Sequence, residues 1–425
     1  MRCLLLAWVL VVLGAGPETP VQAGERFADL LAAGRYAEAR AMFDEEMTRV
    51  CTLSMLESSW TGVTARMGPL VKTGPAVMQK VAAYDVVLIP CHFERGRYRL
   101  KVVLDSKRRV SGYFWLAYQS GTPPGYLKNR VSESQVSVGP WKLPGLLGVP
   151  KDVPVRAGLV LVAGSGPNDK DETIGGSKPF RDLARGLAGY GVVTLRYDKR
   201  TRTYGLAMAL TRVGVEQEVL EDAVAALALL RSRPELKGKP VLLLGHSLGG
   251  LLAPEIARRD GRVDGLVLLA APARGSSEIL VEQLTYVATF DPANAPTILE
   301  MAEKARRLDQ LSDSDTLLSA PVSYWREVDR FQSQSLQVAA ALPCPVLVMQ
   351  GGRDYQVTRV DLDRWKQALA GHRGARFHLF PRLNHLFAPG EGKARPMEYE
   401  DENYVDPVVI QVLGEWIASV HSSKK

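Results

Sequence analysis

A chain of 425 residues is longer than a single hydrophobic core usually grows, so its length predicts two domains. Its 46% hydrophobic and 23% charged residues are ordinary for a globular protein. The formal net charge of +7 is modest, and the basic residues are interspersed with acidic ones, which argues against a nucleic-acid partner.

The first 23 residues have the pattern of a secretory signal peptide. A basic start at residues 1–2 precedes an apolar run, Cys3 to Leu13, that is too short to span a bilayer comfortably. Small residues at positions 21 and 23 then form a cleavage signal. We expect an exported protein, periplasmic or secreted, whose mature chain begins near Gly24 and does not stay in the membrane. An uncleaved membrane anchor is the alternative.

Residues 24–118 are predicted to form a small α+β domain. Helical periodicity occupies its first part. An alternating segment at 97–104, flanked across two turns by segments 85–93 and 110–116, is typical of an antiparallel meander. The segment holds no catalytic constellation. We interpret it as a helper or dimerising module, which leaves a homo-oligomer open.

Three cysteines remain after the predicted signal, so they cannot all pair with one another. Cys51 and Cys91 fall in the first domain and are candidates either for a disulfide in an oxidising compartment or for two buried thiols. Cys344, at the start of an apolar strand, is interpreted as packing. No spacing of Cys or His resembles a zinc site, so no metal is expected.

A linker is predicted over residues 119–135, which contain Ser-Gly-Thr-Pro-Pro-Gly at 120–125. From 136 to 425 short apolar strands alternate with helical segments, as expected for a parallel sheet covered by helices on both faces. Ligands of such sheets bind at the carboxyl ends of the strands. The predicted strands are Leu159–Ala163, Val192–Leu195, Val241–Leu244, Leu266–Ala270, Val346–Met349 and Phe377–Phe380.

The interval of about 272–340 breaks this alternation. It contains helical pieces but no convincing strand. We predict a helical cap over the strand ends that forms a substrate pocket and excludes water. Extra scaffold without substrate contact is the alternative.

The stretch Pro240–Asp260 organises the second domain. Between its strand and its helix, residues 245–249 read Gly-His-Ser-Leu-Gly. A G-x-S-x-G sequence at a strand-to-helix turn is the context of a nucleophile elbow, where the serine backbone is strained and nearby side chains would collide. Ser247 is the predicted nucleophile, and the Leu248 N–H at the helix N-terminus is a predicted oxyanion donor. A serine that only turns the chain is the alternative.

A serine nucleophile needs a base, and the base needs a group that orients it. Of six histidines, His385 is the one that stands just past the last predicted strand, and we predict it as the general base. Asp354 follows a predicted strand directly and is the predicted acid. A packing histidine and an aspartate that stabilises a glycine turn are the competing interpretations.

A second oxyanion donor is expected from the loop after an early strand. Residues 163–169 of that loop read Ala-Gly-Ser-Gly-Pro-Asn-Asp, and their glycines let the backbone approach a substrate oxygen. The Ser165 N–H is the predicted donor. A phosphate cradle fits poorly, because the glycine spacing is wrong and no G-K-[ST] follows.

With these residues in place the chain resembles the α/β-hydrolase superfamily, and more narrowly the bacterial two-domain serine esterases with a small N-terminal module. Two positions depart from the pattern: Ala163, where many members of the superfamily have histidine, and Thr201, where the motif usually runs on into glycine. The resemblance implies an α/β-hydrolase fold with a helical cap insertion, preceded by a small α+β domain. The motifs that carry it are the loop at 164–167, Asp-Lys-Asp-Glu at 169–172, Leu-Arg-Tyr-Asp-Lys-Arg at 195–200, the elbow, Gly-Gly-Arg-Asp at 351–354 and Asn-His at 384–385.

The resemblance implies hydrolysis of carboxylic esters, best with short acyl chains, through an acyl-serine intermediate. Ser247, Asp354 and His385 would form the triad, the partner would be a small-molecule ester, and no metal or organic cofactor is required. A serine peptidase, an aminoacyl amidase or an acyltransferase on the same triad stays open, because fold and triad do not choose between them. A non-catalytic binding protein with an idle hydrolase fold is the alternative of another class.

Overall fold

The structure is a computed structural model that describes residues 18–119, 123–128, 130–205, 208 and 214–422. The chain divides into two compact units, one ending at Tyr118 and the other beginning at Gln119. Most of the predicted signal peptide, residues 1–17, lies outside the described residues.

The first unit is an α+β domain, as predicted. Strands β3, β4 and β5 form the antiparallel meander, and β1 and β2 both pair with β3. Neither β1 nor β2 was predicted, because β2 exposes every side chain and β1 buries none fully, so no alternation marks them. The elements are α1 (Pro20–Ala32), α2 (Tyr36–Arg40), α3 (Glu45–Val50), α4 (Leu53–Met67), β1 (Leu70–Thr73), β2 (Val77–Val81), β3 (Tyr84–Phe93), β4 (Arg97–Leu104) and β5 (Val110–Ala117).

The predicted cleavage point after Ala23 falls inside α1. Thr19 caps this helix by accepting the N–H of Gln22, and the Ala23 side chain is buried. Cleavage there would remove the cap and the first turn of α1. The signal peptide itself stays a prediction.

The cysteines of the described residues are free, and all three are buried. Burial raises the pKa of the Cys91 thiol to about 12 and that of Cys344 to about 11. Thiols in such surroundings are unreactive. Of the two interpretations of Cys51 and Cys91, the structure has the buried thiols.

The second unit is built on an eight-stranded sheet in the order β15-β14-β11-β10-β8-β9-β7-β6. The six strands from β15 to β9 are parallel to one another, as the alternation of strands and helices predicts, and β7 and β6 are antiparallel. The strands are β6 (Val131–Val138), β7 (Leu143–Pro150), β8 (Ala157–Val162), β9 (Val192–Tyr197), β10 (Val241–His246), β11 (Leu266–Leu269), β14 (Val346–Gly351) and β15 (Ala375–Phe380).

The predicted linker was wrong at its carboxyl end, since residues 131–135 belong to β6. The β6–β7 hairpin was missed because β7 contains two prolines and two glycines, which usually argue against a strand. Here the close approach of β9 requires glycine. A Cβ at Gly148 would lie 2.8 Å from Oγ1 of Thr194 on the neighbouring strand.

Helices cover both faces of this sheet. Alternate residues of β10 show why: Leu243 packs in one hydrophobic cluster, while Leu242 and Leu244 pack in a separate cluster. The helices of this layer are α5 (Pro179–Ala188), α6 (Arg200–Thr203), α7 (Glu221–Arg231, preceded by a π-helical turn at Glu216–Leu220), α8 (Leu248–Asp260), α12 (Arg359–Ala368) and α13 (Pro407–Ser422).

The cap segment is helical apart from one short hairpin, which was not predicted. Its helix α9 contacts the loop after β14, where Gln283 Nε2 donates to the Gln356 carbonyl at 2.9 Å. The Tyr286 and Tyr355 rings lie 5.0 Å apart at the same contact. The elements are α9 (Ser276–Ala288), α10 (Ala295–Arg306), β12 (Thr316–Leu317), β13 (Ala320–Pro321) and α11 (Val322–Ala341).

Within the described part of the chain, no helix combines the length and the apolar composition needed to cross a bilayer.

Candidate active site

Ser247 occupies a strained turn between β10 and α8. Its backbone has φ 51° and ψ −121°, a conformation that residues other than glycine rarely adopt. The turn leaves no room for side chains at the flanking glycines. A Cβ at Gly245 would lie 2.1 Å from the Gly249 carbonyl oxygen, and one at Gly249 would lie 2.3 Å from the Val162 oxygen. The local sequence therefore forces the serine to the tip of the turn.

Two main-chain N–H groups beside the elbow are free to bind an anion. Leu248 is the first residue of α8, where N–H groups have no partner within the helix. Ser165 lies in the loop after β8, and Gly164 brings that loop against the nucleophile, since a Cβ at Gly164 would lie 3.1 Å from the Ser247 Cβ. Neither N–H donates a hydrogen bond to any of the described residues.

Asp354 and His385 form a buried pair at the same edge of the sheet. His385 Nδ1 lies 2.6 Å from Asp354 Oδ2. The same carboxylate accepts the Gln350 side-chain amide at 3.1 Å and the main-chain N–H groups of Gln356 and Val357 at 2.7 and 3.1 Å. These donors fix the carboxylate, and its bond to Nδ1–H leaves Nε2 as the basic nitrogen of the imidazole.

The loop that carries His385 is shaped by the residue before it. Asn384 Oδ1 accepts the N–H groups of Leu386 and Ala388 at 3.0 and 3.1 Å, which curls the chain around the imidazole. Both Asn384 and His385 are buried.

His246, the residue before Ser247, connects the elbow with His385. The His246 and His385 rings lie 4.7 Å apart, and His246 Nε2 lies 3.0 Å from the His385 carbonyl oxygen. Among the described residues the Ser247 hydroxyl makes no hydrogen bond with the His385 imidazole. This bond is often long in free enzymes and tightens when substrate is bound.

A buried carboxylate, Glu172, joins the oxyanion loop to the elbow. Its Oε1 accepts the Gly164 N–H at 2.6 Å and lies 2.9 Å from His246 Nδ1. A carbonyl oxygen only accepts hydrogen bonds, so His246 Nε2 must carry a proton to bond the His385 carbonyl. Burial disfavours the charged imidazole, but the Glu172 carboxylate and that carbonyl outweigh burial and raise the pKa of His246.

The Glu172–His246 pair was missed from the sequence. In the sequence, His246 occupies only a variable position of the G-x-S-x-G pattern, and Glu172 lies in a motif with no assigned role. The sequence shows a carboxylate eight residues after Gly164, but the histidine that it contacts lies 74 residues further along the chain.

Two other aspartates near the triad have different surroundings. Asp361 is buried in α12 and bonds Arg274 at 2.9 Å. Asp363 is more than half exposed and pairs with the surface residue Arg359. Neither lies on the loop that contacts His385, and among these three aspartates the structure brings only Asp354 to the imidazole.

A mostly parallel sheet of this order with a serine elbow, a His–Asp pair and free N–H groups defines a hydrolase of the α/β type. The profile of the alpha/beta hydrolase family matches residues 159–398, and the chain belongs to that family. A second family, described as a protein of unknown function, matches residues 24–113 in the first unit.

The chain is similar over nearly its whole length to Esterase EstD of Thermotoga maritima, with 33% identity over 92% of this chain and 93% of that protein. Phospholipase YtpA of Bacillus subtilis is 29% identical over 32% of this chain and 57% of its own length. Among solved structures, Est1E from Butyrivibrio proteoclasticus aligns with a TM-score of 0.45 and 15% identity, covering 68% of this chain and 99% of that one.

The substitution Asp354→Asn tests the His–Asp pair. The amide presents a donor in place of an acceptor, so the imidazole is expected to turn to the tautomer with its proton on Nε2, which cannot take a proton from serine. We expect the rate constant for labelling of Ser247 by a fluorophosphonate to fall by about 10,000-fold. Asp363→Asn is the matched control and keeps the wild-type rate. Equal labelling of the two variants would exclude Asp354 as the acid.

Proposed function

We propose that this chain is a serine hydrolase that cleaves small carboxylic esters through an acyl-serine intermediate. The observation that carries the proposal is the buried His385–Asp354 pair, with an N···O distance of 2.6 Å, beside a strained serine elbow. The chain's similarity to a protein named esterase over 92% of its length supports the same reaction.

In the first half of the reaction, Ser247 attacks the ester carbonyl carbon while His385 Nε2 takes the hydroxyl proton. Asp354 accepts the Nδ1–H and stabilises the imidazolium that forms. The carbonyl oxygen becomes an oxyanion, which the N–H groups of Leu248 and Ser165 bind. The imidazolium then gives its proton to the leaving alkoxide, and the alcohol departs.

The second half repeats these steps with water. His385 takes a proton from water as the water attacks the acyl carbon, a second oxyanion forms in the same place, and Ser247 leaves with the proton returned by the imidazolium. The products are a carboxylic acid and the free enzyme. Each proton passes through one nitrogen atom, His385 Nε2.

The substitution Ser247→Ala tests the nucleophile. It removes one oxygen atom at the tip of the elbow, so the fold is expected to persist while hydrolysis of p-nitrophenyl acetate falls by about a million-fold. The measurements are initial rates, with circular dichroism as the control for folding. An alanine variant with wild-type turnover would exclude Ser247. Parallel assays on aminoacyl amides and on ester with an added alcohol acceptor separate hydrolysis of esters from amidase and transferase activity.

We propose short acyl chains as the preferred substrates. Leu386, the residue after His385, packs in a buried cluster with Tyr355 and Tyr399, and Tyr286 of the cap packs against that cluster. Aromatic rings packed this close to the His385 loop would leave little room for a long acyl chain, which supports a preference for small acyl or aryl groups.

A series of p-nitrophenyl esters from acetate to decanoate tests this preference. We expect kcat/KM to be highest for the acetate or the butyrate and to fall at least tenfold by the decanoate, a loss of about 1.4 kcal/mol of transition-state stabilisation. A maximum at eight carbons or more would contradict the proposal and would place the acyl chain along an apolar channel instead.

We also propose that the chain is exported. A basic start, an apolar run and small residues at 21 and 23 support this, as in secretory signals. Expression of the full chain in a bacterium followed by fractionation and amino-terminal sequencing tests it. The expected product is outside the cytoplasm and begins near Gly24. A cytoplasmic protein that retains the first 23 residues would contradict export.

A further inference from the structure

Two sequence motifs of no assigned role meet at one residue of the oxyanion loop, Gly164. The first motif supplies Glu172, whose Oε1 accepts the Gly164 N–H at 2.6 Å. The second supplies Lys199, whose Nζ donates to the Gly164 carbonyl at 3.0 Å. Asn168 Nδ2 donates to the same carbonyl at 3.1 Å. Gly164 precedes the predicted oxyanion donor Ser165, and hydrogen bonds therefore hold both its N–H and its C=O.

Lys199 is a buried cation, with its side chain 4% exposed. Its nearest charged partner is Glu218 Oε1 at 3.2 Å, and its main-chain N–H also bonds the oxyanion loop, at Asn168 O. Removing an ammonium group from water is unfavourable, and its partners must offset that loss. Of the two side-chain contacts, only the one with Gly164 reaches the active site.

The geometry of a peptide group links this contact to the oxyanion donor. The Gly164 carbonyl and the Ser165 N–H belong to the same peptide plane, and there are no cis peptide bonds among the described residues. In a trans peptide the C=O and the N–H point in opposite directions. A lysine that holds the Gly164 oxygen therefore turns the Ser165 N–H away from Lys199.

We propose that Lys199 and Glu172 are positioning residues that hold the Gly164–Ser165 peptide in the orientation the oxyanion requires. Lys199 also withdraws electron density from the carbonyl, which makes the N–H of the same peptide a stronger donor. Glu172 fixes the preceding N–H and, through His246, keeps this loop in register with the elbow. The inference rests on the proposed function, since it needs an oxyanion to form at Ser247.

The expected effect falls on kcat. The Ser165 N–H bonds the oxygen only once it carries charge, so its misorientation weakens the transition state and leaves substrate binding unchanged. A defect in packing alone would affect the bound substrate and the transition state equally.

The decisive variant is Lys199→Met, which keeps the length of the side chain and removes its donors. We expect kcat for p-nitrophenyl acetate to fall about 10- to 100-fold, within the range for loss of one oxyanion donor, with KM within about twofold. The dissociation constant of phenylboronic acid, which forms a tetrahedral adduct with serine, is expected to rise by the same factor. Glu172→Gln, which keeps an acceptor for the Gly164 N–H and removes the charge, is expected to move both quantities in the same direction.

Lys170→Met is the matched control. This lysine lies in the same loop and pairs with Asp198 at 3.2 Å without touching the Gly164 peptide. We expect it to keep kcat and boronate affinity within about twofold of wild type. If Lys199→Met behaves as this control does, the inference is overturned. If Lys199→Met fails to fold by circular dichroism, Glu172→Gln decides by the same two measurements.

The wild-type protein separates failure of the inference from failure of the proposed function. If fluorophosphonate labels the wild type at Ser247 and Lys199→Met keeps full activity, the positioning role alone is wrong. If the wild type neither labels nor hydrolyses any ester, the proposed reaction is wrong and the inference falls with it.

Discussion

The active site depends on a steric constraint at one turn. The chain reverses from β10 into α8 with so little space that a methyl group at Gly245 or Gly249 would collide with main-chain oxygens. Ser247 absorbs the strain with a positive φ. The packed sheet on either side over-determines this conformation, because β10 lies between β8 and β11 with both of its faces buried. A nucleophile placed in this way needs no flexible loop to present it.

Around that turn two buried carboxylates, Asp354 and Glu172, collect hydrogen-bond donors from different parts of the chain. Asp354 receives donors from its own loop and from His385, while Glu172 receives the oxyanion loop and the residue before the nucleophile. A buried carboxylate of this kind holds its donors in place. Each donor has lost its hydrogen bond to water, and its bond to the carboxylate replaces that loss. Glu172 follows β8 and Asp354 follows β14, so two separate sets of hydrogen bonds hold the side chains around Ser247.

The sequence was sufficient for the parts of the molecule whose signals are local. Apolar runs such as 241–244 predict parallel strands, and the glycine spacing at 245–249 predicts the elbow without knowledge of any partner. The roles of Asp354 and His385 were predicted by one topological rule, that functional side chains follow the carboxyl ends of parallel strands. The structure places these two side chains 2.6 Å apart, although 31 residues separate them along the chain.

The rest depended on contacts that a linear pattern does not show. In the sequence, Gly148 argues against a strand. In the structure, Thr194 on the neighbouring strand occupies the space that a larger side chain at position 148 would need. Glu172 and Lys199 read as surface charges, since most such residues are solvated. Their burial follows from the approach of the segments after β8 and β9 to a single glycine, which only the folded chain brings together.

The cap and the acid share a loop but not their hydrogen bonds. Gln283 and Tyr286 of α9 bond the carbonyl oxygens of Gln356 and Ala394, whereas the donors to the Asp354 carboxylate come from residues 350–357 and from His385. A cap that lifted to admit a reactant would break the first set and leave the second intact. The hydrogen bonds of α9 and those that hold the Asp354 carboxylate are therefore separate, so the shape of the cap segment can change while the His385–Asp354 pair keeps its geometry.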